Sequence, residues 1–345
     1  MDLKRILIVE DVESILLAFK DFLRTKFEVV GVPSYRTAIS VFENALQENR
    51  PFDFVISDVH LPDGNGLDLI QDIKNRYPKI KTALITSYEI NEYIDYIQKF
   101  GIDQVISKNT HMSLHDVMVM LEKHLTGNIF GVDKYFPSLR IYYPTELRRS
   151  PWPQNRELYS VQIRSTEDRI YWTEHVSELM KEKLNVPISI SKLVLDELMT
   201  NAMIRAPRDE DGSYKYQQQV KNEDKLIPAT NITLDPEDYF TMQYGYYDEW
   251  VIFTTIDPNG TLRKSEILYR LKRHLSINNP MGLPEGLTDT HGRGLFLLRE
   301  QLSHIIFNIE RNKKTEIICL YNTMHNTPSK NISIFELGGK YHDDL

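Results

Sequence analysis

Five short apolar runs, four of them ending on residues able to do chemistry, constrain this chain more than anything else in it. They are RILIVE, FEVVGV, FDFVISD, KTALITS and DQVISK, all between residue 4 and about residue 125. Amphipathic stretches separate them, such as 12–26 and 35–48. Strands of unbroken apolar character are buried on both faces. Five of them alternating with helices imply an α/β architecture, a doubly wound parallel sheet. In that architecture the functional crevice opens at the carboxyl ends of the strands.

The first run ends in Glu10-Asp11, the third in Asp58, the fourth in Thr86-Ser87 and the fifth in Lys108. Three carboxylates meeting in one crevice repel each other and need a cation. All-oxygen ligation with room for water suits Mg²⁺. A carboxylate beside Mg²⁺ can attack a phosphoryl group and form an acyl phosphate. A hydroxyl and an ammonium nearby can hold the phosphoryl oxygens. Taken singly, a strand-end Asp is as readily a helix cap, and a lone Lys is ordinarily solvated. Their joint placement at four strand ends outweighs those readings.

This N-terminal region resembles a response-regulator receiver domain, and DVHLPDGNGLDLI, with Asp58, Pro62 and Gly66, matches that family's phosphorylation-site segment. The resemblance implies a flavodoxin-like fold with Asp58 as phosphoacceptor. It implies that Glu10, Asp11 and Asp58 bind Mg²⁺ with help from the Val59 or His60 backbone. Thr86 and Lys108 would bind the phosphoryl group, and a cognate histidine kinase would donate it. Two positions depart from the family pattern. Val105 stands where an aromatic switch residue is usual, and Asn109 stands where proline follows the lysine. A cis bond before a non-proline residue costs about 3 kcal/mol, so that loop is expected to differ.

At 345 residues the chain exceeds one typical core, which predicts two domains. We expect a receiver domain at 1–126, a connecting segment at 127–157 and a second domain at 158–345. The net charge of 41 − 49 = −8 argues against direct nucleic-acid binding. The single cysteine, Cys319, sits in an apolar run and reads as core packing. The N-terminal residues carry no signal-peptide pattern and no long apolar run appears, so a cytoplasmic protein without a membrane span is expected. Gly and Pro are dense in the connecting segment. Its interleaved aromatics predict packing on a domain, with an added strand near LRIYYP.

Beyond residue 158 the pattern becomes helical over 166–184 and again from Ser189 to about Ile204. Glu197 and Asn201 are four apart and share one helical face. Such a pair can hold Mg²⁺ through the amide and orient a nucleophile through the carboxylate, but it is equally an ordinary exposed pair. Later segments give it weight. WVIFTTIDPNGTL is a buried strand ending in Asp257, with Gly260 in the turn after it. THGRGLFLLREQLSHI sets Gly292, Arg293 and Gly294 before an apolar helix, where backbone N–H groups can approach phosphate. TEIICLY reads as the final strand of the sheet. A polar insertion separates Asn201 from Asp257, and residues 261–291 read as a lid.

This ordered set resembles the ATP-binding domain of histidine kinases, gyrase, heat-shock protein 90 and the anti-sigma-factor serine kinases. That implies an α+β sandwich of the histidine-kinase-like ATPase type. By the resemblance Asn201 ligates Mg²⁺, Asp257 accepts the adenine amino group, Gly260 and Gly292–Gly294 contact the nucleotide, and Glu197 is the general base. Asp257-Pro258-Asn259-Gly260 departs from the family's glycine-rich turn. The expected output is a serine/threonine-kinase-like domain acting on an anti-sigma antagonist or a sigma factor, in a homodimer. Two alternatives stay open: a non-catalytic, ATP-dependent module that sequesters a partner, and an atypical histidine kinase with His175 as acceptor.

Overall fold

The structure is a computed structural model that describes residues 3–86, 97, 101–108, 113–143, 152–216, 231–275, 294–324 and 331–338. The chain forms two compact units, 1–129 and 130–345.

In the first unit, strands β1 (Arg5–Val9), β2 (Glu28–Val32), β3 (Phe54–Asp58), β6 (Lys81–Thr86) and β7 (Gln104–Ser107) form one sheet in the order β2-β1-β3-β6-β7. Every pairing is parallel. A two-residue ribbon, β4 (His60–Leu61) with β5 (Gly64–Asn65), follows β3. The helices are α1 (Glu13–Leu23), α2 (Tyr35–Gln47), α3 (Gly66–Arg76) and α4 (Leu114–Thr126). Side-chain oxygens of Ser34, Asn65 and Ser113 accept backbone N–H bonds at the starts of α2, α3 and α4, which fixes where each helix begins. The apolar runs are buried as their continuity requires: Ile6, Leu7, Ile8, Phe54, Val55 and Ile56 have no exposed surface. The chain leaves β1 to one side for β2 and to the other for β3. The switch point therefore falls between the strands that carry Glu10 and Asp58.

The second unit is built on a seven-stranded mixed sheet, β14-β12-β13-β11-β10-β9-β8. Its strands are β8 (Arg140–Tyr142), β9 (Glu157–Ile163), β10 (Phe240–Tyr247), β11 (Trp250–Asp257), β12 (His304–Glu310), β13 (Lys314–Asn322) and β14 (Asn331–Leu337). TEIICLY is therefore not the last strand. β14 follows it and pairs parallel to β12.

Helices α5 (Thr166–Leu184), α6 (Ile188–Thr200), α7 (Lys264–Leu275) and α8 (Gly294–Gln301) complete this unit. The helix expected to run to Ile204 stops being α-helical at Thr200 and continues as a π turn, Asn201–Arg205. Cross-strand register puts Asp257 beside Thr315 and Thr255 beside Ile317 on one sheet face. Trp172 of α5 packs its ring 5.9 Å from Tyr244 on that face.

The segment after residue 130 belongs to this unit. Tyr135 and Phe136 meet His304 and Tyr247, which point from the opposite face. The Gly131 N–H donates to Glu316 at 2.9 Å. The strand expected near LRIYYP is β8, paired parallel to β9 at the sheet edge. Its aromatics thus serve as core for the second sheet, because two apolar sheet faces need two covers.

Candidate functional site

The carboxyl ends of β1 and β3 bring Glu10, Asp11 and Asp58 together, with one carboxylate oxygen from each lying within 4.8 Å of the others. Glu10 and Asp58 are buried and Asp11 is exposed. Lys108, just past β7, places Nζ 2.7 Å from Asp58 Oδ2 and 3.0 Å from Glu10 Oε1. Burial raises the Glu10 carboxyl above its ordinary value, against the hydrogen bond from Lys108. Burial also pulls the Lys108 ammonium down, but hydrogen bonds to Asp58 and Glu10 outweigh it and leave the group raised. Three carboxylates facing one ammonium keep an excess of two negative charges. That donor set fits one divalent, oxygen-loving cation.

Thr86 ends β6 one residue past Ile85, the register partner of Asp58, and its carbonyl accepts the Lys108 N–H at 2.6 Å. The phosphorylation-site segment owes its glycine to a close approach. A β-carbon on Gly66 would lie 1.8 Å from the Asp58 carbonyl oxygen. Val105 packs in the core with Val59, Ile70, Leu84 and Ile102, so no aromatic ring occupies that position. Asn109, with the expected departure of its loop, lies outside the described residues.

In the second unit Glu197, Asn201 and Asp257 line one open cavity. Thr255, Thr315 and Ile317 of the sheet, and Leu295 of α8, line it as well. Asp257 is buried at the end of β11, and burial pushes its carboxyl up to about 6. Its Oδ1 accepts the backbone N–H groups of Asn259, at 3.0 Å, and Gly260, at 3.2 Å. The Pro-Asn-Gly turn therefore holds the aspartate without the second glycine of the usual pattern. Gly260 has φ +60°, and its carbonyl accepts Asn312 N–H at 2.8 Å. It supports Asp257 and does not line the cavity. Gly294 opens α8 against the Glu197 carboxylate, while Gly292, Arg293 and most of the expected lid lie outside the described residues.

Arg205, Arg208 and Arg270 also line this cavity, and the sequence reading had assigned none of them a role. The signal for Arg205 was its spacing, eight residues after Glu197 and four after Asn201. His175 stacks on Tyr171, with ring centroids 5.5 Å apart, and meets the Trp172 ring at 5.7 Å. Cys319 is fully buried and burial raises its thiol, as core packing requires.

The first site has the form of a phosphoacceptor centre at the ends of a parallel sheet. The family model for the response regulator receiver domain matches residues 6–118. Residues 6–118 are a response regulator receiver domain. The chain is similar to the response regulator protein VraR of Staphylococcus saprophyticus, 28% identical over 110 residues, which is 32% of this chain and 51% of the relative. It is similar to the response regulator protein PilR of Pseudomonas aeruginosa, 46% identical over 54 residues, 15% of this chain and 12% of the relative. The chain thus spans about half or less of the length of these curated relatives. Among solved structures, a CheY-like receiver domain protein from Methanospirillum hungatei covers 36% of this chain and 96% of its own, at 27% identity and a TM-score of 0.33. Among the described residues no helix is long and apolar enough to cross a membrane.

Proposed function

We propose that this chain is a response regulator whose phosphorylation at Asp58 controls a nucleotide-binding output unit formed by residues 130–345. The input chemistry follows from the first site. An Asp58 carboxylate oxygen attacks the phosphorus of a phosphohistidine. The O–P bond forms as the N–P bond breaks, and the imidazole leaves with the electron pair and takes a proton from water. Lys108 and Thr86 then hold the phosphoryl oxygens. Mg²⁺ held by Glu10, Asp11 and Asp58 would supply the charge that offsets those oxygens.

The output reading rests on one observation. Glu197 and Asn201 from one helix, Asp257 from the buried strand end, and the start of α8 converge on a single cavity. A buried carboxylate fits recognition of an exocyclic amino group, and a helix N-terminus fits phosphate. ATP is the nucleotide that this set suits. The anti-sigma-type kinase or partner-sequestering output, the anti-sigma antagonist or sigma factor as target, and the homodimer rest on resemblance alone. The histidine-kinase alternative has less support, since His175 sits within an aromatic cluster.

Calorimetric titration of a non-hydrolysable ATP analogue into the full chain tests the nucleotide reading. Saturable binding is expected, with affinity near its limit at pH 7, about half of it at pH 6 and about tenfold lower at pH 5, as Asp257 gains a proton. Asp257→Asn weakens binding about tenfold and flattens that pH profile. Unfolding through this group would have the opposite sign. Its folded-state value is raised, so protonation of Asp257 favours the folded chain as pH falls from about 6 towards the ordinary carboxylate value of 3.8. An affinity that does not change between pH 7 and pH 5 would rule out Asp257 as the recognition group.

A further inference from the structure

We infer that Arg205 stands in for a divalent cation in the second unit, so that its cavity takes nucleotide phosphate without Mg²⁺. This rests on the nucleotide reading above.

The amide of Asn201 is engaged at both ends. Its Nδ2 donates to Glu197 Oε1 at 2.9 Å, and its Oδ1 accepts from Arg205 Nη1 at 2.8 Å. That Oδ1 is the atom a metal would need. Arg205 Nη1 also lies 3.7 Å from Glu197 Oε1, so the one carboxylate on this helix face is already faced by a cation. Mg²⁺ demands near-ideal octahedral oxygen ligation and sheds water reluctantly. At Asn201 it would meet one shared amide oxygen and a guanidinium within hydrogen-bond range, and like charges at that distance repel.

The receiver site shows the contrast within the same chain. There, three carboxylates face one ammonium, and the imbalance calls for a dication. Among the described residues that line the second cavity, the carboxylates are Glu197, Asp257 and Glu266 and the guanidiniums are those of Arg205, Arg208 and Arg270. Glu266 is taken by Arg270, Asp257 is held by its own turn, and Glu197 faces Arg205. Arg208, which lies 3.7 Å over the Tyr214 ring, adds positive charge that Glu197 does not offset. A planar guanidinium pairs with phosphate oxygens in a two-pronged geometry that a metal's point charge does not reproduce.

Backbone geometry explains how Arg205 reaches this position. The π turn closes with Ala206 N–H on Asn201 carbonyl oxygen at 3.0 Å, one residue later than an α turn. That wider turn rotates Arg205 back over the line of Glu197 and Asn201 instead of past it. Single π turns of this kind recur at functional sites.

The test is titration of the β,γ-imido analogue of ATP into the full chain, in excess Mg²⁺ and again in EDTA. An Asp11→Ala background weakens the receiver's metal site and removes its contribution. The dissociation constants with and without metal should agree within about threefold. Arg205→Gln should lose about 30-fold in EDTA, the scale of a charge-assisted hydrogen bond, and Arg205→Lys should fall between. Binding in Mg²⁺ that weakens more than about tenfold in EDTA in the Arg205 protein overturns the inference and leaves the nucleotide reading standing. Absence of binding under both conditions overturns the reading and the inference together. The comparison of metal conditions needs no variant of the second unit to fold.

Discussion

Replacing Asp58 by alanine abolishes the gain of one phosphoryl group when the chain is incubated with Mg²⁺ and a small acyl phosphate, as intact-protein mass spectrometry will show. The parent protein gains the group, and hydroxylamine removes it, because an acyl phosphate is labile to nucleophiles. The loss should be complete because no neighbour can substitute. Glu10 has no exposed surface and both of its oxygens lie about 3 Å from Lys108. Asp11 is exposed, and the bonds from Lys108 Nζ run to Glu10 and Asp58. Only Asp58 combines a strand-end position, an oxygen 2.7 Å from Nζ and a place at the switch point. The variant should stay folded, since Lys108 retains its contact with Glu10. Undiminished phosphoryl gain in the alanine variant would show that the acceptor lies elsewhere.

Gly66→Ala is expected to destabilise the receiver unit by about 3 kcal/mol, at the upper end for forced overpacking. The added β-carbon would lie 1.8 Å from the Asp58 carbonyl oxygen and 2.6 Å from Ser57 Oγ. A backbone atom at that distance cannot swing away as a side chain can. Relief requires β3 and the start of α3 to separate, which breaks the 2.8 Å bond from Gly66 N–H to the Val59 carbonyl. The phosphoacceptor sits on the strand that must move, so phosphoryl gain should fall too. Hydrogen exchange across β3 in the full chain reports the change locally. Protection of β3 equal to that of the parent protein would refute it.

The receiver was largely legible in the sequence because each central strand is buried on both faces. Its apolar run is then continuous, and polar residues at its end stand out. The second unit was less legible for identifiable reasons. HIIFNIE, which forms β12, starts three residues after α8 ends, and no glycine or proline separates the two. β14 lies beyond TEIICLY, which had seemed to close the sheet. The π turn leaves no mark on apolar periodicity, so the helix looked continuous through Ile204. Arg205 was passed over because an arginine near a helix end ordinarily reads as solvated charge. Its spacing of four from Asn201 puts the two on one face, and the π turn aligns it with Glu197 as well. The aromatics after residue 130 were noticed, but their glycines and prolines led to a connector, because composition does not say which sheet face is missing its cover.

That cover has a practical meaning for moving the second unit between proteins. The portable piece begins at residue 130, not at 158. A fragment cut at 158 would discard β8 and leave β9 as a bare edge, the kind of surface along which strands from other molecules add. It would also strip Tyr135 and Phe136 from the sheet and leave Glu316 without the Gly131 N–H. The place to join this unit to another protein is therefore a short stretch near residue 129. A regulator assembled by exchange at that point carries its second sheet face with it.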